Sequence, residues 1–133
     1  MIVPDASATG LLFGDPAVDV RVERATGLLS DDPEWVVPEM WRTEVLNVLR
    51  GLALGGKLSR PAAEFAVSWL RDITVVTAPT GPLLSRMWEL HANLSAYDAS
   101  YVAAAESYDL TLVTADARIA KAGVARCAVR VIS

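Results

Sequence analysis

Residues 95–116 read SAYDASYVAAAESYDLTLVTAD. The first half predicts a helix with Asp98 in its first turn; residues 110–114 predict a short apolar strand, and Asp116 follows it directly. In a parallel sheet the helix preceding a strand starts level with that strand's C-terminal end, so both acids belong to one edge of the domain. The start of the chain supplies the same arrangement, a strand over residues 1–4 running into Asp5. A fourth acid, Glu44, interrupts the apolar face of a helix.

Working outward, Ser7 is placed to cap a short helix running through Phe13. Asp15-Pro16 signals a second helix start, with Val18, Val22, Ala25 and Leu29 at helical spacing. Residues 35–38 are a brief β-prone run bounded by prolines, a second strand. The segment EMWRTEVLNVLRGLALGG predicts a helix whose stripe is Trp41, Val45, Val48, Leu49 and Leu52, ended by Gly55-Gly56. Ser59 caps the next, with Ala62, Phe65, Ala66 and Trp69 on its inner face, and the short link makes these two helices an antiparallel pair. Residues 73–77 read as a third strand, and Thr80-Gly-Pro82 opens a helix carrying Leu83, Met87, Leu90 and Leu94. Beyond Asp116, a short helix over 117–122 stops at Gly123 and a last strand covers 128–132. Strands alternating with helices argue for an α/β domain with a parallel sheet covered on both faces.

The 133 residues, 53% hydrophobic and 21% charged, suffice for one core and are too few for two, so a single domain over 1–133 is expected. No signal-peptide pattern opens the sequence and no apolar run reaches membrane-spanning length, which predicts a cytoplasmic protein with no membrane contact. The single cysteine, Cys127, excludes an internal disulfide and fits a reducing compartment. A net charge of −4 first argues against a nucleic-acid partner. Without Asp5, Glu44, Asp98 and Asp116, however, twelve acids would face twelve basic residues, so these four account for the whole excess. A divalent cation bound among them would cancel it.

Each acid taken singly also has a structural role open to it. Asp5 can begin a turn, Asp98 can answer Ser95 in a capping box, and Asp116 can cap the helix that follows. Glu44 is harder to explain that way. It shares a face with Trp41 and Val48, and the position four residues on offers no ionic partner. A carboxylate against apolar neighbours costs several kcal/mol, roughly, unless paired or protonated. Asn47, one turn on, can orient it or bond a ligand water.

Together the acids favour function, since α/β domains bind ligands at the C-terminal strand edge to which all four map. Carboxylates gathered without histidine or cysteine suit Mg²⁺, with Mn²⁺ as substitute; His91 and Cys127 are single, so zinc is disfavoured. Phosphodiester hydrolysis is the reaction such a site serves. Acyl transfer by Ser7 with His91 lacks a G-x-S-x-G elbow, and an aspartyl-phosphate mechanism lacks a second acid close behind Asp5.

The series IVPDASA, PEMWRTEVLNVL, YDASYVAAAE and LTLVTADARIA resembles the PIN domain, and within it the VapC-type toxins of bacterial toxin–antitoxin pairs. The resemblance spans nearly the whole chain. It implies a three-layer α/β/α sandwich with a parallel sheet of about five strands. It also implies Mg²⁺-dependent endoribonuclease activity with Asp5, Glu44, Asp98 and Asp116 as the acidic quartet, inhibition by a small antitoxin, and a homodimer. Ser7 and Thr114 match hydroxyl positions of the family that orient a water or a carboxylate. A further acid often follows the last one in the family; here Ala117, Arg118 and Ile119 stand instead. For RNA phosphates the nearby basic residues are Arg118 and Lys121 beside Asp116, and Arg42 and Arg50 flanking Glu44. Trp35, Trp41, Trp69 and Trp88 are candidates for antitoxin or dimer contact, with core filling the competing reading for Trp41 and Trp69. The rival function is a PIN-like module without catalysis that binds a protein partner.

Overall fold

A computed structural model describes residues 1–133. The strands are β1 (Val3–Pro4), β2 (Val36–Pro38), β3 (Val76–Ala78), β4 (Leu112–Thr114) and β5 (Val129–Val131). The helices are α1 (Ala6–Gly10), α2 (Arg21–Asp31), α3 (Trp41–Leu54), α4 (Arg60–Asp72), α5 (Leu84–Glu89), α6 (Ala96–Ser107) and α7 (Ala117–Lys121). Single 3₁₀ turns at Leu11–Phe13 and Gly81–Leu83 extend α1 and precede α5.

All strand pairs are parallel. β1, β4 and β5 form one ladder in that order, and β2 with β3 forms another. A parallel bridge from Ile2 to Trp35 joins them, with the Ile2 amide donating to Glu34 O at 3.1 Å and the Val36 amide to Ile2 O at 3.0 Å. The expected sheet of about five strands is therefore present as three plus two, in the order β3-β2-β1-β4-β5. Every residue of β1, β2 and β4 is buried. Since neighbouring strand residues face opposite ways, both faces of the sheet centre are covered by helices. β3 and β5, at the edges, are partly open.

The central helix is α6, buried continuously from Ala99 to Ala105. Its run of small residues lets it approach the sheet closely on more than one side, and its C-terminal Glu106 is held by Arg86 at 2.7 Å. The α3 stripe is as expected at Trp41, Val45 and Leu49, all buried. Trp35 and Trp41 are core residues in edge-to-face contact, and Trp35 meets Trp69 the same way; Trp88 is 71% exposed.

Several local expectations are corrected. Asp5, not Ser7, caps α1, because its carboxylate reaches the Ala8 amide at 2.9 Å. Asp15-Pro16 makes a turn closed by the Ala17 amide on Asp15 Oδ1 rather than a helix start, so α2 begins at Arg21 and Val18 is 82% exposed. On α4 the buried positions are Ala66 and Leu70, whereas Phe65 is 72% exposed and Ala62 is also outside. The third strand lies later than residues 73–77, since its partner β2 pairs with Val76–Ala78 and Ile73 still ends α4. The helix expected to reach Leu94 stops at Glu89, and turns over 90–94 turn the chain into α6.

Candidate active site

At the sheet centre the order of the parallel strands changes direction: β1 leads outward to β2 on one side, while β4 leads to β5 on the other. Such a switch point leaves a crevice beyond the C-terminal strand ends, because the connecting helices diverge to opposite faces. Asp5 directly follows β1, and Asp116 stands two residues past the end of β4. Glu44 enters from α3 and Asp98 from the first turn of α6. All four line one cavity of about 210 Å³, with Ser7, Asn47, Val48 and Tyr101 among the other walls.

A larger groove, about 820 Å³, lies between α2 and the open face beside β5. There Glu23, Asp31 and Asp32 share the walls with Arg24 and Arg130, so cationic side chains already offset most of the negative charge. In the smaller cavity the lining supplies four carboxylates and no cationic side chain.

Asp5 is 4% exposed and fully engaged. Its Oδ1 accepts from the Ser7 hydroxyl at 2.6 Å and from the Ala8 amide at 2.9 Å, and its Oδ2 accepts from the Thr114 hydroxyl. Both hydroxyls are aimed from behind. The Ala115 amide donates to Ser7 Oγ and the Asp116 amide to Thr114 Oγ1, each at 2.9 Å. With those lone pairs occupied, the single hydroxyl hydrogens turn toward the carboxylate. Burial still pushes the Asp5 carboxyl above its ordinary range, against these bonds, and the Asp98 charge adds to the rise.

Glu44 is held by a residue the sequence reading did not single out. The Tyr101 hydroxyl, in a side chain 2% exposed, donates to Glu44 Oε1 at 2.7 Å. Its spacing of three residues from Asp98 on α6 was a usable signal, since such positions share a helix face. Burial, with Glu44 and Asp5 beside it, keeps the phenol firmly protonated. Burial likewise raises Glu44, with Asp98 and Asp5 contributing and the Tyr101 bond opposing. For Asp98 burial is again the main cause of a raised value, followed by the charge of Asp116.

Asp116 differs. Arg118 grips both its oxygens, with Nη2 at 2.6 Å from Oδ2, and holds the carboxyl below its usual range. In this arrangement no three of the Asp, Glu, His and Cys side chains form a group able to hold a metal ion. The acids face one cavity without being drawn into a coordination cluster. The structural roles weighed for them are also filled: Asp5 and Asp116 are N-caps, and the Asp98 amide donates to Ser95.

The remaining candidates divide. Asn47 lines the cavity. Lys121 is exposed on α7. Arg42 points elsewhere, its guanidinium donating to the Leu70 and Ile73 carbonyls at the end of α4, so it is not brought to the cavity. His91 stacks on the exposed Trp88, ring centroids 4.2 Å apart, and does not line the cavity near Ser7.

The PIN domain family profile matches residues 2–125. Ribonuclease VapC9 of Mycobacterium tuberculosis is 42% identical over 96 residues, covering 72% of this chain and 76% of the relative. Ribonuclease VapC1 of the same species is 32% identical over 96 residues, covering 71% and 72%. Among solved structures, Mycobacterium tuberculosis VapC20, described as a sarcin-ricin loop cleaving toxin, superposes with a TM-score of 0.69 at 21% identity over 92% of this chain and 95% of that one. The chain belongs to the PIN domain family, and its relatives there are VapC ribonucleases.

Proposed function

We propose that this protein is a divalent-metal-dependent endoribonuclease toxin that hydrolyses RNA phosphodiester bonds at the cavity lined by Asp5, Glu44, Asp98 and Asp116. The observation that carries the reading is that acids from four separate elements line one small cavity whose walls hold no histidine, cysteine or cationic side chain. Burial first, and then the neighbouring acids, raise the Glu44 and Asp98 carboxyls, and a cation relieves that cost. The VapC ribonuclease names of the relatives support RNA as substrate.

Oxygen-only donors fit Mg²⁺, with Mn²⁺ as substitute; Asp5, Glu44, Asp98 and Asp116 line the cavity without forming a coordination group and would hold the ion once drawn together around it. When bound, such an ion lowers the pKa of a water and shields the charge that builds on the phosphate. The chain's own groups supply orientation and proton transfer. Ser7 and Thr114 fix the Asp5 carboxylate in one plane, and Tyr101 anchors Glu44 through Oε1. A carboxylate oxygen of Glu44 or Asp98 that is not engaged by the cation would accept the proton of the attacking water. Lys121 and Arg118, exposed on α7 beside Asp116, are the phosphate contacts.

The same reading gives the protein a small cognate antitoxin as inhibitor, a homodimeric state to which the exposed Trp88 offers apolar surface, and a cytoplasmic location. No helix is long and apolar enough to cross a membrane. The deciding experiment is RNA cleavage by purified protein with Mg²⁺ or Mn²⁺ against chelator, alongside Asp5→Asn and Asp98→Asn. The expected result is metal-dependent cleavage, reduced roughly 10²-fold or more in both variants. Cleavage at the wild-type rate in the variants, or undiminished by chelator, overturns the proposal.

A further inference from the structure

Asp116 is the one acid of the cavity whose carboxylate is wholly taken by a single neighbouring residue. Its Oδ1 accepts from the Arg118 amide at 2.9 Å and from Nε at 3.0 Å; its Oδ2 accepts from Nε at 3.2 Å and Nη2 at 2.6 Å. The two partners differ in exposure. The Asp116 side chain is 22% exposed and lines the cavity, while that of Arg118 is 85% exposed and makes no other hydrogen bond. The backbone here is fixed independently, since Asp116 is the N-cap of α7 through its bond to the Arg118 amide. The guanidinium is thus a detachable group on a rigid mount.

Its electrostatic role reaches past Asp116. The Arg118 charge also acts on Asp98, opposing the rise that burial and Asp116 impose there. Arg118 is a positive charge acting on both Asp98 and Asp116, and its grip uses the Asp116 oxygens a cation would need. The guanidinium end of this pair is open to water, which competes for its hydrogen bonds, so it can exchange partners. A guanidinium released at the mouth of a nuclease cavity matches the geometry of a phosphate, which presents paired oxygens as a carboxylate does.

We propose that Arg118 exchanges partners during the working cycle: it holds Asp116 while the cavity is free of metal, yields that carboxylate to a divalent cation, and then binds a phosphate of the RNA. This rests on the nuclease reading above and adds to it an order of events and a competition between Arg118 and metal. The chain contains its own control. Asp19 and Arg21 repeat the pairing at the start of α2, with Nη2 at 2.7 Å from Oδ2, but neither residue lines the acidic cavity.

The test titrates Mn²⁺ calorimetrically into wild type, Arg118→Ala and Arg21→Ala, and measures KM for an RNA substrate at saturating metal. Removing the competitor should tighten Mn²⁺ binding about two- to fivefold in Arg118→Ala, matching the weakness of an exposed pair. Losing the phosphate contact should raise KM roughly tenfold with kcat less affected. Arg21→Ala should change neither, and Arg118→Lys, which keeps charge without the fork, should fall between. Arg118 is exposed and its pair with Asp116 is partly screened, so Arg118→Ala should still fold, melting only slightly below wild type. Mn²⁺ binding that is unchanged or weaker in Arg118→Ala, or an unchanged KM, overturns the inference while leaving the nuclease reading intact. A wild-type protein that neither binds Mn²⁺ nor cleaves RNA overturns both.

Discussion

Asp98 and Asp5 carry the same kind of charge at different local cost. Asp5 is nearly sealed from solvent yet has three donors directed at it, from Ser7, Ala8 and Thr114, whereas Asp98 depends on the Ser95 hydroxyl beside it. For Asp98 the folded pKa lies above the ordinary 3.8, first from burial and then from Asp116. The native state then binds a proton more readily than the unfolded chain, and the stability present below pH 3.8 is lost as pH rises through the folded value. Metal-free Asp98→Asn should therefore melt above wild type at pH 7, with the gap closing as the pH is lowered toward 4. A gap that widens on acidification would contradict the account; thermal melts in chelator across that range measure it. Asp116 runs the other way, since Arg118 lowers its pKa and its contribution fades only on acidification.

At the level of elements, the cavity depends on how closely α1 approaches α3. A Cβ built on Gly10 would meet Val48 Cγ1 at 2.5 Å, and Val48, stiff at χ1 in a helix, has little freedom to move. Thr9 ties the same two helices, accepting from the Trp41 indole at 3.3 Å while donating to Asp5 O at 2.8 Å. Gly10→Ala should cost about 1–3 kcal/mol in urea unfolding. Combined with Val48→Ala it should cost less than the sum of the two single changes, and strict additivity would refute the contact as the cause. Because α1 follows Asp5 and α3 carries Glu44, the single variant should also slow RNA cleavage. The α3 stripe was legible beforehand, since Trp41, Val45 and Leu49 recur at helical spacing. α4 was not: Phe65 and Ala66 are adjacent in an almost equally apolar sequence, and only the position of α3 decides which one turns inward. Ser7 was misread as a cap for a related reason, since Asp5 two residues earlier competes for the same amides and wins with a charged acceptor.

Across the whole molecule, binding at the switch point should stabilise the fold, because the ligand bridges β1, β4, α3 and α6 at once. A divalent cation at a hundredfold excess over its Kd adds about 2.7 kcal/mol, a rise in melting temperature of roughly 10 °C for a domain of this size. The rise should disappear in Asp98→Asn, and its persistence there would place the cation elsewhere. The four acids as candidates, the alternation of strands and helices, and the ends of β1, β2 and β4 were legible in the sequence alone, because caps, apolar periods and strand-end acids are local patterns. Only the tertiary structure decided the strand order, the assignment of Tyr101 to Glu44, the turning of Arg42 to the end of α4 and the closure of Arg118 on Asp116. The Arg42 and Tyr101 bonds join groups 28 to 57 residues apart and the sheet sets β1 beside the distant β4, and no local period records which of several compatible partners a side chain meets once the core has packed. The Arg118 closure is local, yet whether its guanidinium turns to Asp116 or outward depends on the cavity that the distant acids build around it.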